Sequence, residues 1–166
     1  MSRDEIREIA LIAGDDGSYS HFVKRINKEF DAADQERNAN VYVLYVERGE
    51  KKIGFCVIGY SPSKMKAWER IFREEDWVTG KFSIDTAMAF ELMYIYVRPE
   101  YRRMGYGDRL FEKAMDFTRK KGAREIYAYV GDKDDSALKF YRKQNAMIIR
   151  DFSDEDGSAA FLMWKV

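Results

Sequence analysis

The stretch Arg102-Arg103-Met104-Gly105-Tyr106-Gly107 places two guanidinium groups beside two glycines. It follows an apolar run that closes on Ile95-Tyr96-Val97, and an amphipathic pattern begins at its end. A junction of this kind can hold a phosphate. The first backbone N–H groups of a helix have no partner within it, and the helix dipole adds positive potential there. A phosphate accepts those hydrogen bonds. Glycine permits close backbone approach and positive φ, and the arginines supply charge-assisted donors. Two glycines alone would mark only a turn that starts a helix. The spacing is not that of the GxxxxGK[ST] loop. The third glycine of the dinucleotide fingerprint is missing, and no acidic ribose ligand stands at the expected offset.

Regular elements must position this loop. Apolar and β-branched residues over 85–97 read as a central strand buried on both faces, with Pro99 at its exit. Leu110, Phe111, Ala114, Met115 and Thr118 keep helical spacing over 107–121, and Gly122 is the stop. Residues 41–47 and 52–60 read as two strands of a hairpin around Gly49, with Pro62 closing the second. Residues 5–12 are read as a strand in preference to a short helix. Residues 18–33 read as a helix capped by Ser18, with Phe22, Ile26 and Phe30 on one face. An inserted amphipathic helix is expected over 63–77, with Met65, Trp68, Ile71 and Phe72 together. A strand at 125–130, a helix at 134–144 and a closing hairpin of 146–152 with 159–165 complete the chain. The order is that of a mixed α/β sandwich.

Length and composition narrow the class. The chain has 166 residues, which suits one domain spanning 1–166. Its 29 Lys and Arg balance 29 Asp and Glu, which argues against a general nucleic-acid binder. No apolar run reaches the roughly 18 residues of a membrane span. The start, MSRDEIREIA, is too charged for a signal peptide, so a cytoplasmic protein is expected. The one cysteine, Cys56, lies in an apolar run and reads as core. The one histidine, His21, reads as surface or packing, and no His and Cys cluster suggests a metal. Tyr42, Tyr45, Tyr94, Tyr96, Tyr127 and Tyr129 read mostly as sheet packing. The acidic group Asp151, Asp154, Glu155 and Asp156 reads as a solvated turn.

The loop resembles the [QR]-x-x-G-x-[GA] signature of the GNAT superfamily of acetyl-CoA-dependent N-acetyltransferases. Its lead-in, Val97-Arg98-Pro99-Glu100-Tyr101-Arg102, is similar to that family's as well. Asp134, Ala137, Tyr141 and Lys143 match a second family block. That block usually has Asn where Asp134 stands and Gly-Phe where Asn145-Ala146 stand. The resemblance covers about 41–152 and is best over 91–144. It implies a central, mostly antiparallel sheet with splayed fourth and fifth strands and helices on both faces. It implies that Arg103, Met104, Gly105, Tyr106, Gly107 and Asp108 hold the CoA pyrophosphate, with Arg102 also among the cofactor-binding residues. Ile95, Tyr96 and Val97 would lie along the cofactor arm, and Asp134 would bind that arm. Tyr141 would donate to the CoA sulfur, and homodimers are common in the family.

Acyl transfer to an amine also needs a base, because an exposed amine is mostly protonated at pH 7. Glu91 is the candidate. It lies six residues before Val97, roughly 20 Å up the strand from the loop at about 3.3 Å per residue. It precedes Gly105 by 14 residues, a spacing at which part of the family carries a glutamate base. A chain of waters is the alternative. The expected activity is transfer of an acetyl group to a primary amine of a small molecule or protein. A silent acyl-CoA-binding sensor is the second reading, which the departure at Asp134 favours. A scaffold docking through 63–77 is the third. The insert is expected to cover the acceptor cleft rather than only pack on the domain.

Overall fold

The computed structural model describes residues 1–14, 23–24, 26–28, 30–31, 40–74, 89–131, 135–151 and 160–166, with the backbone alone at Phe72, Arg73 and Asp135. Ser18, His21, Phe22, Asp134 and the turn Asp154–Gly157 lie outside the described residues, as do 75–77 of the insert and 85–88 of the central strand. The helices are α1 (Arg3–Ala13), α2 (Pro62–Glu74), α3 (Tyr106–Lys120) and α4 (Asp135–Lys143). The strands are β1 (Asn40–Arg48), β2 (Lys51–Tyr60), β3 (Ala89–Val97), β4 (Glu125–Val130), β5 (Met147–Arg150) and β6 (Ala160–Lys165). A 3-10 turn covers Pro99–Tyr101, and the described residues between 23 and 31 are helical. The strands form a mixed sheet in the order β1-β2-β3-β4-β6-β5. The pairs β1–β2, β4–β6 and β5–β6 are antiparallel. β3 and β4 run parallel, and among the described residues their ladder joins Ala89, Phe90 and Glu91 to Glu125, Ile126 and Tyr127.

The first element corrects the strand expected at 5–12. It is a helix, because Ser2 and Glu5 form a reciprocal capping box that satisfies two otherwise orphaned backbone donors. Ile6, Ile9 and Ile12 then fall on one buried face, and helical geometry leaves Leu11 74% exposed.

The chain divides into two compact units, Met1–Ser61 with Leu92–Phe117, and Pro62–Glu91 with Thr118–Val166. In the first, Ile6, Ile9 and Ile12 pack with Ile26, with Phe55 and Val57 of β2, and with Tyr94 and Tyr96 of β3. A Cβ on Gly54 would stand 2.6 Å from the Tyr96 carbonyl oxygen, so the backbones meet there only because Gly54 has none. Cys56 is fully buried, as expected, and burial pushes its thiol pKa well above the ordinary value.

In the second unit, Met65 of α2, Ala89 of β3, Tyr127 of β4 and Phe161 and Met163 of β6 form a cluster. Trp68 meets Phe161 edge-on at 5.0 Å. The insert's apolar face is narrower than expected, for Ile71 is exposed. The end of α3 follows the Schellman pattern. Ala123 N–H donates to the Thr118 carbonyl, Gly122 N–H donates to Arg119, and Gly122 has φ +80°. The end of α4 repeats it with asparagine. Ala146 N–H donates to the Tyr141 carbonyl at 3.2 Å, and Asn145 takes φ +57°. Asparagine tolerates that conformation better than most residues, so the family's glycine is replaced here without loss of the turn.

Candidate functional site

The loop between β3 and α3 lies wholly in the first unit. Arg103 and Gly105 both have positive φ, with Met104 of ordinary sign between them. Alternation of this kind turns successive N–H groups inward, as in anion-binding nests. Gly105 caps α3, for its carbonyl accepts the first helical bond from Arg109 N–H at 3.1 Å. The first-turn N–H groups of Tyr106, Gly107 and Asp108 precede any such bond. Apart from its own chain neighbours, nothing lies within 4 Å of where a Gly105 Cβ would stand, and Arg102, Arg103, Met104 and Gly105 are exposed. The fit to a phosphate group is good.

Arg102 turns back, its Nε donating to the Val97 carbonyl at 2.9 Å and its guanidinium 5.5 Å from the Tyr96 ring centre. Arg102 therefore clamps the loop to the end of β3. Arg98, not singled out from sequence, anchors the same turn. Its N–H bonds the Ile53 carbonyl at 3.0 Å, and its Nη2 donates to the Leu11 carbonyl near the end of α1 at 2.8 Å.

The Tyr96 side chain is core. Its ring stacks on Phe55 at 5.4 Å and its hydroxyl donates to the Ala13 carbonyl at 3.4 Å. Arg98 N–H faces β2, so by alternation the backbone groups of Tyr96 do too, and those of Ile95 and Val97 address the other edge of β3.

Glu91 and Tyr141 lie in the second unit. The Glu91 side chain is only 8% exposed, and Lys64 Nζ of α2 stands 2.6 Å from its Oε2. The lysine supplies the countercharge that a carboxylate so deeply buried requires. Lys64 Nζ also lies 5.3 Å from the centre of the Trp68 ring, within cation–π range. Tyr141 is buried on α4, 5.4 Å from the Trp164 ring. Trp164 in turn donates to the Gln144 carbonyl at 3.0 Å. Ring contact and the turn through Asn145 together fix Tyr141. Asp151 pairs with Arg142 through both carboxylate oxygens. Among the described residues, no three His, Cys, Asp or Glu side chains are grouped to hold a metal. Nor is any described helix long and apolar enough to cross a membrane.

Comparison with known proteins bears on this arrangement. The profile of the family described as "Acetyltransferase (GNAT) family" matches residues 6–146. This chain belongs to the GNAT family. A GNAT-family structure from Desulfovibrio desulfuricans superposes with a TM-score of 0.64 at 11% identity, covering 99% of this chain and 93% of that one. The PaiA N-acetyltransferase of Thermoplasma acidophilum, in complex with coenzyme A, gives 0.61 at 17% identity, over 100% of this chain and 96% of that one. At such identities these likenesses speak for the GNAT fold alone. An uncharacterised N-acetyltransferase of Methanocaldococcus jannaschii is 29% identical over 68 residues, 41% of this chain. The match spans 29% of that relative's length.

Proposed function

We propose that this chain is an acetyl-CoA-dependent N-acetyltransferase, one domain over 1–166, that acetylates a primary amine by direct attack on the thioester. The observation that carries the reading is the loop, where positive φ at Arg103 and Gly105 marks an exposed turn at the start of α3, the alternation by which backbone amides form anion-binding nests. Amides of Arg103 to Asp108 would hold the pyrophosphate. The backbone of Ile95 and Val97 would pair with the amides of the cofactor arm in the manner of an added strand. Bound acetyl-CoA supplies the acetyl group and a thiolate leaving group.

The protein's own part is proton traffic and placement. Glu91 takes a proton from the acceptor ammonium, directly or through water. The free amine forms the new C–N bond as the C–S bond breaks. Tyr141 gives its hydroxyl proton to the departing sulfur, and the acylated nitrogen gives up its second proton through water, which restores the Tyr141 hydroxyl. Glu91 releases its proton to solvent, so the products are the N-acetyl amine and CoA thiol. A single base or acid of this kind contributes about 10²–10⁴-fold. Asp134 is kept as a ligand of the cofactor arm.

One observation favours the other reading, a CoA-binding protein without turnover. Lys64 stands on Glu91, so the candidate base is already engaged. Release of free thiol from acetyl-CoA, measured across a panel of amines, separates the two. Thiol release that depends on an amine supports the transferase. CoA binding with no release under any amine supports the sensor.

A further inference from the structure

The surroundings of Lys64 compose a recognisable chemical environment. A carboxylate that is more than nine-tenths buried lies 2.6 Å from its Nζ, and an indole face lies 5.3 Å away. Carboxylate and aromatic face converging on one nitrogen is how proteins bind alkylammonium ions. Here the ion is the chain's own. Glu91 comes from β3, and Lys64 and Trp68 come from adjacent turns of α2 within the same unit. The lysine side chain is 27% exposed against 8% for Glu91, so the lysine is the partner nearer solvent.

We propose that Glu91 and Trp68 form a receptor for an unbranched primary ammonium group, and that Lys64 is its internal occupant, displaced by the acceptor amine. The inference rests on the acetyl-transfer reading for its catalytic meaning, though not for the receptor itself. Exchange suits the electrostatics. A buried carboxylate stripped of its cation is strongly destabilised. Replacing one ammonium with another keeps the charge compensated, and Lys64 needs only to swing toward the solvent it already touches. The short contact also selects. A primary ammonium can approach the carboxylate oxygen this closely, whereas a quaternary one cannot. Lys64 is thus a specificity-determining competitor and not a catalytic residue.

Two measurements test this with the full chain. In thermal melts, n-propylammonium chloride is compared with equal sodium chloride. Lys64→Ala is expected to melt below the wild type and to be restored by propylammonium and not by sodium. The Lys64→Ala/Glu91→Gln pair is expected to show no such restoration. Equal effects of the two salts on Lys64→Ala overturn the receptor. If Lys64→Ala does not fold, Lys64→Gln with methylammonium serves the same comparison. In kinetics, Lys64→Ala is expected to lower the KM for a primary amine acceptor on the order of tenfold, with the KM for acetyl-CoA unchanged. An unchanged or raised amine KM overturns the competition. If no amine is ever acetylated, the transferase reading fails, and the melts still decide the receptor.

Discussion

Two side chains carry the proposed proton transfers, and each can be altered without disturbing volume. Tyr141→Phe removes one hydroxyl from a ring held by Trp164. It is expected to lower kcat by about 10²–10⁴-fold, with acetyl-CoA affinity little changed, in an assay where chemistry limits the rate. Glu91→Gln keeps shape and hydrogen-bonding capacity but loses the proton acceptor. The low-pH limb of kcat/KM should then change, and an unchanged profile moves the base role to water. Cys56 is the contrasting case. The thiolate is the reactive form, and burial disfavours it at this site. Cys56 should react with Ellman's reagent only after denaturation, and rapid labelling of the native protein would contradict its place in the core. Tyr141 could be proposed from sequence because the family's block is local in sequence. Lys64 could not, since its partner Glu91 stands on another element and spacing fixes only local geometry. The lysine's position beside the buried Met65 was the only signal, and it names no partner.

Elements were readable wherever one turn of pattern decides them. The β1–β2 hairpin, α3 with its Gly122 stop, and β4 formed where periodicity and punctuation placed them. The first helix departs from the expected strand because four isoleucines and leucines within EIREIALI also fit a strand, and the deciding signal is the Ser2–Glu5 box at the helix start. Ser2→Ala should therefore lower stability by about 0.5–2 kcal/mol in chemical denaturation. Asn145 carries a similar test. Asn145→Gly should be neutral or stabilising, whereas Asn145→Val should cost about 1–2 kcal/mol, since a β-branched residue resists the left-handed conformation. The insert now reads as a packing helix more than a cover, since Met65 is fully buried and Trp68 lies on Phe161. Met65→Ala should lower stability by about 2–5 kcal/mol. In the loop, Gly107→Val should sharply weaken CoA binding by calorimetry while the melting transition is retained. Unchanged affinity in a folded variant would reject the loop as the phosphate site.

For the molecule as a whole, the proposal of one domain has a direct optical test. Trp68 and Trp164 lie in the second unit, and the segments of the first contain no tryptophan. Tryptophan fluorescence therefore reports one unit, while far-UV circular dichroism reports both. Coincident midpoints in urea are expected of one cooperative domain. The division of the chain has another consequence, for synthesis. The path passes from one unit to the other after Ser61, Glu91 and Phe117, so neither unit is a contiguous stretch. A growing polypeptide leaving the ribosome presents α1 and the β1–β2 hairpin long before their last strand. Phe55 and Val57 must wait for Tyr94 and Tyr96 to emerge. A chain halted after Ser61 would thus carry an uncovered apolar surface and tend to aggregate, while one halted after Phe117 would contain every residue its first unit needs. The strand that closes that surface also lends Ala89, Phe90 and Glu91 to the second unit, whose other strands emerge only after Thr118.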